Sequence, residues 1–368
     1  VTWLPNAVVS INGADYENET LAGLTINYGR TTVWEQARAG YATIQILNAN
    51  NTNNLYEIND SVTITIEDSA GNPVTIFTGK VRDISAEMVA FGDSASVAVE
   101  TVTAVSVFAE MARVVVGTTS YPKEYDNDRI NTILTEAGVP IDTVDVGVYE
   151  LQARAASPTD AYSLAAKYAQ MAFGYIYETT AGEVGYANES RRTATAQALG
   201  YMNISLDYIL WQGISSQRSF NDITNDVLLT YKNGQTVTSS DAGSIATYGT
   251  LSASISTELE DTAEAQLNAD RYVTLRAYPE TSVNSFIVPV DSPNVTNSDR
   301  DKFIDIYMGM PIQILNLPVP IIHVAYRGFV EGWAWNIRDN QAFLTVISTD
   351  NTLSLAPTRW QDVSATLQ

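Results

Sequence analysis

A faint internal repeat constrains this chain more than any single motif does. In the N-terminal part, Val62-x-Ile64-x-Ile66 is followed by Gly79-x-Val81 and then Val97-x-Val99. Near the C-terminus, Ile312-x-Ile314 is followed by Gly328-x-Val330 and then Leu344-x-Val346. The first interval is 17 residues in one copy and 16 in the other, and the second is 16 and 14. Asn316 falls where a third alternating apolar residue would stand. Alternation with a period of two is the mark of half-buried strands. The shared order and spacing predict one small β-module used twice.

A chain of 368 residues exceeds one ordinary core, so several domains are expected. The formal net charge is -22, from 20 basic and 42 acidic side chains. Nucleic-acid binding rests on Lys and Arg neutralising phosphates, so a gripping DNA or RNA surface is not expected. An acidic wall would instead keep a passing polyanion from sticking. There is no cysteine, which excludes disulfides and thiolate metal sites. No apolar run reaches the roughly 20 residues of a membrane helix. The start, Val1-Thr2-Trp3-Leu4-Pro5, has no basic stretch followed by an apolar one, so no signal peptide is expected.

Residues 1–112 read as short alternating strands with turns between them, a sandwich or barrel. Leu24-x-Ile26-x-Tyr28 and Ile44-x-Ile46 alternate, Asn48 to Asn54 is a polar loop, and Ala70-Gly71-Asn72-Pro73 is a hairpin turn. The texture then changes. Ile130, Ile133, Leu134 and Ala137 have helical spacing and stop at Gly138. Tyr162, Ala165, Ala166 and Ala169 mark a second helix, capped by Ser157 or Thr159. Phe173 to Tyr177 and Val184 to Tyr186 form a strand pair, so residues 113–206 read as an α/β segment. Asp226 to Tyr231 is read as the second-copy counterpart of the strand at Ile44. The second module is then residues 207–234 and 307–352, split by an α+β insertion at 235–306. That insertion holds one helix marked by Leu259, Ala263, Leu267 and Tyr272, a strand at Ser285 to Val288, and a polar loop from Asp291 to Asp301. Residues 353–368 are an irregular tail.

Three stretches carry a family resemblance. The first is Tyr28 to Gln36 with Gly40-Tyr41-Ala42-Thr43-Ile44 and Phe77-Thr78-Gly79-Lys80-Val81. The second runs from Asp160-Ala161-Tyr162 through Gly174-Tyr175-Ile176-Tyr177 to Tyr186 and Arg191-Arg192. The third is Gly328-Phe329-Val330-Glu331-Gly332 with Phe343-Leu344-Thr345-Val346. With these the chain resembles the phage tail hub proteins, the trimeric baseplate hubs of contractile and related long non-contractile tails. The resemblance implies a mainly β fold: two tube-like antiparallel β-barrels, a small α/β domain and an inserted α+β domain. It also implies a non-enzymatic virion protein without cofactors, made in the host cytoplasm. The implied homotrimer has six modules, matching a six-fold tail tube and enclosing a DNA ejection channel. Implied partners are the tail tube or distal tail protein on one side and a tail spike, fibre or tip protein on the other. The tape measure protein is a further candidate, and genomic DNA passes without specific binding.

Chemistry-bearing residues are few. His323 is the only histidine and lies in an apolar run, so the plain reading is a strand or subunit-contact residue and not a general base. Asp126-Asn127-Asp128 and Asp299-Arg300-Asp301 are oxygen-rich, yet neither belongs to a complete calcium loop, and helix caps are the simpler role. Gly79-Lys80 lacks the phosphate-loop spacing. Arg30 and Arg191-Arg192 are isolated basic positions, expected in exposed ion pairs or against an acidic neighbour. Trp333 and Trp335 share a strand face with Glu331, the nearest thing to a sugar-binding stripe. That leaves two other classes open: a secreted or surface carbohydrate-binding β-protein, and a polysaccharide-degrading enzyme using Glu331. Barrel core or subunit interface is the plainer role for both tryptophans.

Overall fold

The computed structural model describes residues 3–17, 20–48, 56–92, 95–211, 213–318, 321, 325–338 and 340–354. The first β-rich part holds β1 (Val8–Ile11), β2 (Ala14–Tyr16), β3 (Leu21–Gly29), β4 (Arg38–Asn48), β5 (Ser61–Glu67), β6 (Pro73–Gly92) and β7 (Ala95–Val105). Their alternation explains them: Val62, Ile64 and Ile66 of β5 are buried while Ser61, Thr63, Thr65 and Glu67 are not.

The middle of the chain is α1 (Val107–Met111), β8 (Val115–Val116), β9 (Glu124–Tyr125), α2 (Asp126–Ala137), β10 (Ile141–Val144), β11 (Glu150–Leu151), β12 (Thr159–Asp160), α3 (Ala161–Met171), β13 (Tyr175–Glu178), β14 (Val184–Ala187) and α4 (Arg191–Leu199). Helix α2 buries Ile130, Ile133 and Leu134 and ends at Gly138 in the left-handed region, φ 68°. The cap of α3 is Asp160, whose carboxylate accepts from Ser163 N at 2.8 Å, in place of the expected Ser157 or Thr159. Strands β10, β14 and β13 form a small sheet against these helices.

The remainder is β15 (Met202–Ile204), β16 (Ser215–Gln217), β17 (Asp226–Tyr231), β18 (Gln235–Ser240), α5 (Ala242–Tyr248), β19 (Ser252–Ser256), α6 (Thr262–Arg276), β20 (Ser282–Pro289), α7 (Asn297–Ile304), β21 (Pro311–Leu315), β22 (Ala325–Arg338) and β23 (Gln341–Asp350). Two strands sit differently from expectation. β17 pairs with β18 and β19 in a separate three-stranded sheet, whereas β20 pairs with β16 and β23 in the large one. The extra chain is therefore inserted between β16 and β20. The stretch read as a polar loop, Asp291 to Asp301, contains the start of α7, capped by Thr296.

Thirteen strands make one mainly antiparallel sheet ordered β16-β20-β23-β22-β3-β4-β7-β6-β5-β1-β2, with β21 on β22 and β15 on β21. Among the described residues this is an open, branched path that ends at β16, β2 and β15, not one or two closed rings. It contains the repeat in full. The run β3-β4-β7-β6-β5-β1 matches β16-β20-β23-β22-β21-β15, strand for strand and in the same chain order. The one difference in direction is that β1 is antiparallel to β5 while β15 is parallel to β21.

The match extends to single residues. Val62 lies opposite Gly79, and Ile312 lies opposite Gly328. Each glycine leaves room for the ring two residues before it, Phe77 or Tyr326, and for a carbonyl of the next strand, Val105 O or Thr349 O. A Cβ would come within 2.3 Å of the first carbonyl and 2.5 Å of the second. One row across the sheet reads Asp83, Thr103, Thr43, Thr25 in the first half and Gly332, Ile347, Ser285, Ser215 in the second. The approach to the central strand is also shared. Val81 exchanges backbone hydrogen bonds with Asn59 and Asp60, and Val330 does so with Gly309 and Met310. Asn59 and Gly309 are both left-handed, at φ 78° and 87°.

Candidate functional site

The two halves meet along one seam, where β22 pairs antiparallel with β3 from Gly332↔Gly29 to Ile337↔Leu24. Just before it, the register of β22 against β23 slips between Val330 and Gly332, a bulge that makes Glu331 an extra residue in the strand. Bulges re-aim side chains, and here the carboxylate enters a buried charge cluster. Glu331 Oε2 accepts from Arg30 Nε at 2.6 Å and from Arg192 Nη2 at 2.7 Å. Arg30 follows the last residue of β3, and Arg192 lies in the first turn of α4. The Tyr175 ring at the start of β13 lies under both guanidinium groups, at 5.3 and 4.6 Å. One carboxylate thus ties both sheet halves to the middle segment. Burial pulls the Arg30 guanidinium below its ordinary value, opposed by the charge of Glu331.

The structure places the sequence candidates as follows. Trp333 and Trp335 are 3% and 1% exposed and Glu331 is fully buried, so no aromatic face is open for a sugar to stack on. Trp333 packs on Tyr28 across the seam at 5.2 Å between ring centroids. Arg30 and Arg192 are buried against their acidic neighbour and not exposed. Arg191 forms a two-point pair with Asp145, at 2.5 and 2.7 Å. Asp126 is buried and accepts from Val148 N, Tyr149 N and Tyr186 Oη, which occupies the carboxylate with structural bonds. Asp301 accepts from Ser69 N and Oγ, tying α7 to the β5–β6 turn. His323 lies outside the described residues. Among the described residues there is no group of three or more His, Asp and Glu arranged to hold a metal, and no helix is long and apolar enough to cross a membrane.

Beside the charge cluster is a cleft of about 680 Å³, lined by Arg30, Trp34, Phe173, Tyr175, Arg192 and Arg271 among others. Its guanidinium groups stack on rings: Arg271 lies 4.5 Å from the centroid of Phe173.

A second buried carboxylate joins the middle segment to the first half. Glu178 on β13 accepts from Gly40 N at 2.6 Å and from Phe108 N at 3.4 Å. Burial pushes its pKa from the ordinary 4.5 up to about 7, against the pull of those N–H groups. The folded chain holds this proton more tightly than the unfolded chain does. The resulting stability is present in full below about pH 4.5 and is lost as the pH rises through 7. Relative to Glu178→Gln, the wild-type chain should therefore gain on the order of 3 kcal/mol between pH 8 and pH 4.5, read from denaturant midpoints at each pH. Parallel pH profiles for the two proteins would show that Glu178 stays ionised.

No family model matches the sequence, and no curated protein matches it. Solved structures do. The 43 kDa tail protein of prophage MuSo2 from Shewanella oneidensis has a TM-score of 0.64 at 11% identity, covering 95% of this chain and 99% of that one. The tail protein from Neisseria meningitidis MC58 has a TM-score of 0.67 at 8% identity, covering 96% and 100%. A type VI secretion component of E. coli, described as structurally similar to T4 phage tail proteins, has a TM-score of 0.51 at 10% identity, covering 95% and 79%. The chain has the fold of phage tail proteins over nearly its whole length.

Proposed function

We propose that this chain is a structural virion protein, the baseplate hub of a phage-type tail. The observation that carries this reading is the strand-for-strand repeat, on a fold shared end to end with prophage tail proteins. Function comes from assembly and not from turnover. In this reading each half is a barrel-like module, three chains supply six modules, and the ring joins a six-fold tail tube to a three-fold tip. The tail tube or distal tail protein binds one side and a spike, fibre or tip protein the other, with the tape measure protein as a further neighbour. Genomic DNA passes through the centre without specific contacts, which suits an acidic chain of net charge -22. The place of action is the virion tail, after synthesis in the host cytoplasm.

Light scattering of the purified chain at micromolar concentration should give three times the chain mass of 40.1 kDa. Low-resolution images should show a three-fold ring with a hole. A monomer at every concentration up to tens of micromolar would overturn the reading.

A further inference from the structure

The repeat predicts a seam that the single chain leaves unfilled. Past its bulge, β22 takes β3 as a new neighbour. β6 has the same bulge at the same place, with its register slipping between Val81 and Asp83. Beyond it, among the described residues, β6 pairs only with β7, and residues 82–88 are exposed. Trp333 and Ile337 lie five and nine residues after Gly328; Ile84 and Met88 lie five and nine after Gly79. The first two are 3% and 4% exposed under the seam, and their counterparts are 37% and 59% exposed. The repeat also identifies the missing neighbour. The counterpart of β3 is β16, a terminal strand of the sheet whose described pairing is with β20 alone. Apolar Leu210, Trp211 and Phe220 flank it, 39%, 82% and 57% exposed. Six strands separate β6 from β16 along the sheet, and among the described residues the two are not paired within one chain.

We infer that the β6 edge at residues 83–88 pairs antiparallel with the β16 edge of a second copy, repeating between chains the seam that β22 makes with β3 inside one. An open edge recruits another strand. Because the two edges differ, the contact is head-to-tail and closes into a ring or runs on as a filament. The inference deepens the ring reading and rests on it only for closure at three copies. The register carries over: Asn336 faces Thr25 in the seam, and the counterparts of that pair are Glu87 and Ser215.

The chain has no cysteine, so paired cysteines report this contact without background. In the full chain, Glu87→Cys/Ser215→Cys should give, on mild oxidation, reducible dimers and trimers on a denaturing gel. Glu87→Cys and Ser215→Cys alone should give none. Asn336→Cys/Thr25→Cys is the control for geometry and should close inside one chain without a ladder. If the first pair misfolds, Met88→Cys/Ile214→Cys probes the adjacent step. A trimer by light scattering in which neither pair links would overturn the edge assignment and leave the ring reading standing. Linkage by a single-cysteine variant would overturn it too, by showing a face-to-face contact. A ladder running past the trimer would support the seam and overturn closure at three. A chain that stays monomeric and unlinked would sink both.

Discussion

Glu331→Ala is expected to cost the folded chain about 3–5 kcal/mol, because it removes the carboxylate that two buried guanidinium groups share. Arg30 and Arg192 are 4% and 5% exposed, and Glu331 Oε2 is shared between them. Removing the whole cluster should hurt less than removing its centre. A variant with Arg30→Met, Arg192→Leu and Glu331→Met replaces three desolvated ions by apolar groups, an exchange often close to neutral. Denaturant titration decides between the two. If Glu331→Ala cost under about 1 kcal/mol, water or another carboxylate would have to be reaching the guanidinium groups. The loss should fall on all three parts of the chain together, since each supplies one member of the cluster.

Gly29→Ala is the second large effect. Gly29 ends β3 at φ +86°, where an L side chain is strained. An added Cβ would lie 2.2 Å from the Glu331 carbonyl oxygen and 2.5 Å from Gly332 Cα. Both are backbone atoms, so no rotamer change relieves the contact. The strand must move, and the Arg30 N to Glu331 O hydrogen bond of 2.9 Å moves with it. A cost of about 2–4 kcal/mol is expected from overpacking and left-handed strain together. Gly13→Ala is the matched control: its φ is +82°, but nothing lies within 4 Å of the new atom. It should cost only the strain, about 1 kcal/mol. Equal losses at the two glycines would mean that the seam does not constrain Gly29.

The repeat was legible because half-buried strands alternate and because a glycine marks the central strand of each copy. Val62 and Ile312 hold matching places in the two spacings, and they face Gly79 and Gly328. Which sheet a strand joins was not legible. Asp226 to Tyr231 alternates equally well in the small sheet and the large one, so the pattern makes β17 the counterpart of β4 and leaves the strand at Ser285 to Val288, β20, in the insertion. Helix α4 is Arg-Arg-Thr-Ala-Thr-Ala-Gln-Ala-Leu and shows no apolar stripe. Helix α7 buries Arg300 beside Phe303 and Ile304, a pattern that reads as a polar loop. The charge cluster was hidden for another reason. Alternation put Glu331 on the same face as the tryptophans, and a one-residue bulge leaves no trace in that pattern. Arg30, Arg192 and Glu331 come from distant parts of the sequence, and no spacing rule connects them.

The seam has a consequence for how the chain is made. β1 to β7 pair among themselves within the first 105 residues, so that half can form early. The strand that covers the outer edge of β3 ends at Arg338. At ordinary synthesis rates of about 5–20 residues per second, the ribosome needs roughly 10–50 s to travel that distance. Throughout the interval, β3 offers open backbone groups and the aromatic face of Tyr28 to any other strand in reach. Covering that edge thus waits on a strand made long after the first third of the chain emerged, and crowding during synthesis bears on how often the right strand arrives first.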